Sequence, residues 1–193
     1  ADAPLALATT APGHGAVRWV NLDGLGDVSV LRQLGEAYGL HGLALEDAVN
    51  AHQRPKVESY EGCLFIILRM PRLVGAGPNA GPATAPPRLE TEQVALCLGR
   101  AFVLTIQERP GDVFDPVRAR LRGGITQMRQ RGPDYLAYAL IDAALDAFFP
   151  MLETLGERVE ALETEVVSHP ASGQIARIHD LKRDLLTARR AVW

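Results

Sequence analysis

Residues 56–70 read KVESYEGCLFIILRM, and this stretch decides what kind of fold the chain can have. VESY runs into the turn pair Glu61-Gly62, and CLFIILRM is an unbroken run of apolar, strand-forming side chains. That pattern predicts a strand covered on both faces, and such a strand needs neighbours in a sheet. Downstream, EQVALCLG (92–99) and AFVLTIQE (101–108) read as two strands joined by a tight turn at Gly99-Arg100. Upstream, AVRWVNL (16–22) has the branched and aromatic content of another strand and ends on the turn signal Asp23-Gly24. The sheet is therefore predicted to be mixed or largely antiparallel.

Helices fill the spaces between these strands. DVSVLRQLGEAYG (27–39) sets Val30, Leu31, Leu34 and Tyr38 at helical spacing between Asp27, a predicted N-cap, and Gly39, a predicted C-cap. A shorter helix is expected over about 42–50, and GDVFDPVRARLR (111–122) reads as a third. Residues 74–87, VGAGPNAGPATAPP, carry neither charge nor aromatic ring and read as a long loop. The first two-thirds of the chain is thus an α/β unit, a sheet covered by helices.

The last third has a different period. Phe148, Leu152, Leu155, Val159, Leu162 and Val166 recur at spacings of 4, 3, 4, 3 and 4, the seam of a coiled coil. SHPASG (168–173) breaks the chain, and Ile178, Leu181, Leu185, Ala188 and Val192 resume the pattern. Two helices joined so closely are expected to pair antiparallel as a hairpin. Between 151 and 167 five glutamates face one arginine, and between 174 and 193 five cations face two aspartates, so the first helix is acidic and the second basic. Pro150 should kink the first helix or mark a break in it. The second helix stops at Trp193 in mid-pattern, so the chain reads as cut there.

Composition excludes several classes of function. A formal charge of −3 and few aromatic residues argue against a nucleic-acid partner. The apolar segment 135–152 is interrupted by Asp142, Asp146 and Pro150, and charges near mid-span cost about 2.5–3.5 kcal/mol each on insertion scales, so it reads as a helix of a soluble domain. Cys63 and Cys97 each lie alone in an apolar run, as small buried thiols do. The opening ADAPLALATTAPGHG lacks the basic start and apolar core of a secretory signal, and 1–16 read as a flexible lead-in. The five histidines form no HExxH pair, and neither GxSxG nor a P-loop occurs, so no enzyme is legible.

What remains is carboxylates in unusual places. Glu46 and Asp47 stand at the end of a short helix, where the helix dipole disfavours negative charge, so something else should compensate them. Arg54, Lys56 and solvent are candidates, as is a bound ion. Asp142 and Asp146 are one helical turn apart on a face shared with Tyr138 and Phe149. Hard oxygen donors of this kind suit Mg²⁺ or Ca²⁺ better than zinc or copper. His52, with Gln53 and Arg54, reads as a loop side chain.

The run GLALEDAVNAHQRPKVESYEGCLFIILRM (42–70) resembles the signature of the CorA-type divalent-cation transporters, and the likeness continues through LETEQVALCLGRAFVLTIQE, GDVFDPVRARLR and PDYLAYALIDAALDAFFPMLETLGERVEALETEV. It covers essentially all of 17–193, with weaker similarity expected to the ZntB zinc-transporting branch. The resemblance implies a homopentameric channel for Mg²⁺, also carrying Co²⁺ or Ni²⁺, at the cytoplasmic face of the inner membrane. It implies an αβα sandwich over 17–134, a helical-hairpin extension over 135–193, and then a stalk and membrane helices with a Gly-Met-Asn signature, which this sequence does not contain. The membrane would be met only through those further helices, and the chain given would be a soluble piece. By the same match, Asp47 is the first candidate ligand for a regulatory Mg²⁺ that bridges subunits, Glu46 the second and Asp142 a further one. A freestanding interaction domain is the alternative from a different class.

Overall fold

The computed structural model describes residues 5–10, 15–74, 88–123 and 127–192. Most of the loop read at 74–87, and Trp193, lie outside them. Five strands form one sheet: β1 (Arg18–Asp23), β2 (Lys56–Tyr60), β3 (Cys63–Val74), β4 (Arg88–Gly99) and β5 (Phe102–Gln107). Their order is β1-β5-β4-β3-β2, with β1 parallel to β5 and each of the other neighbouring pairs antiparallel. The mixed, largely antiparallel sheet expected from the sequence is therefore present. At the β4–β5 turn a Cβ on Gly99 would lie 2.1 Å from the Phe102 ring, so any larger residue there must push that ring aside.

Strand alternation divides the core into two layers. Phe65, Ile67, Ala95, Cys97, Leu104 and Ile106 face α2 (Val28–Tyr38) and α3 (Gly42–Val49). Met70, Val94, Leu96 and Val103 face the other way, toward α4 (Asp115–Arg122), α5 (Gln127–Gln130) and α6 (Pro133–Asp146). Phe65 and Leu104 are fully buried, and each side chain of that size contributes about 1.5–3 kcal/mol by leaving water. Helices on both faces make the unit an αβα sandwich. Within the lead-in, Leu5–Thr9 forms a helical turn, α1, whose Leu5 and Ala8 pack on the α2 layer.

Most helix ends follow their local chemistry. The Asp27 carboxylate accepts from the amides of Ser29 and Val30 to start α2, and Gly39, at φ 63°, ends it in the left-handed conformation. The helix expected from residue 111 starts later, at Asp115, because the Asp112 carboxylate accepts from the Phe114 amide and turns the chain first. The long helix expected from 134 breaks at Ala147, between α6 and α7 (Phe148–Ser168). Pro150 has no amide to give the carbonyl of Asp146 and its ring crowds that carbonyl, so the break falls three residues before the proline.

α7 pairs with α8 (Gln174–Val192), giving the expected hairpin. Of the predicted seam, Phe148, Leu155, Leu162, Leu181 and Ala188 are buried, whereas Leu152, Val159, Val166, Ile178, Leu185 and Val192 are exposed. The seam thus resolves into a closed row and an open row, each at a spacing of seven. The Arg158 guanidinium, the one cation of the acidic helix, donates to the buried Asp184 carboxylate of the basic helix at 2.7 Å. Leu89, near the start of β4, joins the closed row. By length and hydropathy alone α6 and α7 together could cross a membrane, yet Leu136, Ala137, Ala139, Leu140 and Ala144 of α6 are buried within the domain.

A candidate cation site at the end of α3

α3 is short and placed closely. His41 caps its start, accepting the Leu43 amide on Nδ1 at 3.2 Å while its ring stacks on Tyr60 with centroids 5.0 Å apart. Ala44 and Ala48 are buried beneath it, and their small size lets the helix lie against the sheet. Glu46 is exposed on the outer side, at the edge of an apolar groove that also includes Val28, Leu31 and Val49. Asp47 is half-buried, with its side chain 20% exposed.

Both carboxylate oxygens of Asp47 are engaged within the chain. The Gln53 side-chain amide donates to Oδ1 at 2.7 Å, and the Lys56 ammonium donates to Oδ2 at 2.5 Å. Lys56 also donates to Oε1 of Glu58 at 3.0 Å, and the Tyr60 hydroxyl donates to Oε2 of Glu58 at 2.8 Å. Asp47 first and Glu58 second push the Lys56 ammonium above its ordinary value. In turn Lys56, then Tyr60, draws the Glu58 carboxyl down. The compensating cation for Asp47 is therefore Lys56 rather than Arg54.

Buried polar groups hold this segment from below. Gln93, on the central strand β4 and 2% exposed, donates from Nε2 to the backbone carbonyl of Asp47 at 2.9 Å and accepts the Gln53 amide on Oε1 at 3.2 Å. The Arg69 guanidinium donates to the Gln53 carbonyl at 2.6 Å, and the Glu108 carboxylate accepts the Gln93 backbone amide at 2.6 Å. Sequence reasoning missed Gln93, Gln53, Glu58 and Tyr60. A polar side chain inside the apolar strand EQVALCLG, and the two-residue alternation Lys56, Glu58, Tyr60, were the available signals.

The other candidate, Asp142, is partly buried on α6, beside exposed Tyr138, Asp146 and Phe149. α3 and α6 cover opposite faces of the sheet, so one chain does not bring Asp47 and Asp142 together. Among the described residues no three His, Cys, Asp or Glu side chains converge as a complete metal site. The donors present nonetheless suit a hard cation: Asp47 Oδ2 and Glu58 Oε1 already converge on one positive charge, the Lys56 ammonium.

A mixed sheet between two helical layers, followed by a helical hairpin, defines the class: an α/β sandwich domain with a helical extension. The fold matches the soluble domain of CorA from Methanocaldococcus jannaschii with a TM-score of 0.70 at 16% identity, covering 90% of this chain and 64% of that one. It also matches the ZntB cytoplasmic domain from Vibrio parahaemolyticus with a TM-score of 0.63 at 14% identity, covering 91% and 64%. A family model described as CorA-like Mg²⁺ transporter protein matches residues 14–193, and the chain belongs to that family. It is 42% identical over 175 residues to the cobalt/magnesium transport protein CorA of Thermotoga maritima, a match that spans 91% of this chain and 47% of that protein.

Proposed function

We propose that this chain is the cytoplasmic, Mg²⁺-sensing part of a CorA-like magnesium and cobalt channel-transporter, in which divalent cations bound between subunits of a homopentamer favour the closed state. Family membership over nearly the whole chain supports the transport context. The observation that carries the sensing role is the placement of Asp47 and Asp142 on opposite faces of one sheet. Residues so placed meet only between copies, and a contact that joins two different faces of identical subunits is heterologous, the kind that closes into rings. Carboxylates facing one another across such a contact repel, and a divalent ion converts the repulsion into a bridge. When Mg²⁺ is plentiful the bridged arrangement gains population; as it falls, the bridges are lost.

Asp47 is the principal ligand in this reading, with Glu46 beside it and Asp142 contributing from the other face. Nickel, like cobalt, is expected to be carried rather than sensed. In the assembled longer protein, Asp47→Ala is expected to weaken Mg²⁺-dependent protection against proteolysis. Protection unchanged at every Mg²⁺ concentration would remove Asp47 from the site.

A second reading, a ZntB-like zinc transporter domain, is favoured by the likeness of fold. The oxygen character of the Asp47 surroundings favours magnesium. Uptake of Zn²⁺ compared with Mg²⁺ by the full-length protein separates the two readings.

A further inference from the structure

We infer that Lys56 is a tethered cation that holds the place of the divalent ion at Asp47, and so sets the concentration at which that ion binds. The inference rests on the reading of Asp47 as a ligand. Its evidence is geometric. The ammonium lies 2.5 Å from Asp47 Oδ2 and 3.0 Å from Glu58 Oε1, so it occupies the side of Asp47 from which an ion would reach Oδ2. Lys56 is anchored in β2 opposite Ile67, so its head group stays beside Asp47 at high local concentration.

A divalent ion approaching Oδ2 meets this positive charge first and must displace it. The displaced ammonium has a second partner in place, because Glu58 already accepts from it and is fixed by the Tyr60 hydroxyl. Lys56 thus has two seats, and binding of the ion moves it from a shared position to Glu58 alone. Lys56 is not needed to fix the backbone of the segment. Gln93 and Arg69 do that through the carbonyls of Asp47 and Gln53. Removing its charge therefore unmasks Asp47 rather than dismantling the helix end.

The test measures the Mg²⁺ midpoint of protection in the assembled longer protein, using chymotrypsin, which does not cut at lysine. Lys56→Gln and Lys56→Met are expected to lower the midpoint about fivefold, the equilibrium factor for an ion pair worth about 1 kcal/mol. Lys56→Arg, which keeps the charge, is expected to keep the parent midpoint. Melting temperatures without Mg²⁺ report whether each variant is folded, and either neutral variant suffices. A midpoint that is unchanged or raised in the neutral variants, while Asp47→Asn abolishes the response, overturns the competing role of Lys56 and leaves the site intact. A response that survives in Asp47→Asn overturns the reading of the site, and the inference with it.

Discussion

At the scale of single residues, two buried carboxylates show how differently the fold treats charge. The Asp112 side chain is 4% exposed, and that shielding alone would raise its pKa. The bidentate Arg118 guanidinium, the Phe114 amide and Gln107 outweigh that and hold the carboxyl below its ordinary value. Glu92, 2% exposed, has Arg72 at 3.2 Å on one oxygen and no partner among the described residues on the other, and burial pushes its pKa up despite Arg72. A carboxyl that binds its proton more tightly when folded contributes stability below its unfolded pKa and loses it as pH rises through the folded value. Glu92→Gln is therefore expected to melt close to the parent at pH near 4 and above it at pH near 8. Thermal unfolding at the two pH values checks this, and a variant less stable than the parent at the higher pH would show that the Arg72 pair dominates. Nothing in the local sequence LETEQ announces Glu92 as buried, because its burial depends on the helices packed over that end of β4.

At the scale of elements, periodicity located the hairpin and three-dimensional packing chose which half of the seam it uses. The 4, 3 spacing of the sequence placed Leu152 and Leu155 in one stripe, yet Leu155 is 3% exposed and Leu152 is 46% exposed. The difference arises because only one row meets Leu89 and the facing helix. Leu155→Ala is expected to cost about 2–5 kcal/mol in urea unfolding, whereas Leu152→Ala removes a side chain that already sees water and should cost far less. Equal losses would mean that both rows are packed in solution. Strand types and caps were legible because alternation, Asp27 and Gly39 act over a few residues. Pro150 likewise announced the break in the long helix, whereas the late start of α4 was not legible, since it turns on one carboxylate already in place.

At the scale of the whole molecule, the sheet order was open in the sequence, although the strands themselves were not. Nothing in AVRWVNL tells that it lies parallel to β5 at one edge, a pairing between residues more than 80 positions apart. The same distance hid the site: Gln93 reaches Asp47 across 46 residues. Magnitudes also bear on assembly. An exposed ion pair contributes at most about 1 kcal/mol, whereas association costs roughly 4–15 kcal/mol in lost freedom. Carboxylate contacts alone therefore do not hold a ring of these domains together. The 193-residue chain is expected to scatter light as a monomer or a weak oligomer at micromolar concentration. A tight pentamer there would show that the domain carries its own assembly surfaces.

β4 touches both ends of this economy. Leu89 packs under the hairpin and Gln93 grips the Asp47 carbonyl, four residues apart on one strand, about 13 Å along it. Arg88, next to Leu89, pairs with Asp180 of α8 at 3.5 Å. The first half of the strand thus ties two helical layers to one rigid piece of sheet: β3 and β5 clamp β4 from both sides, so the hairpin end and the Asp47 backbone are held at a fixed separation.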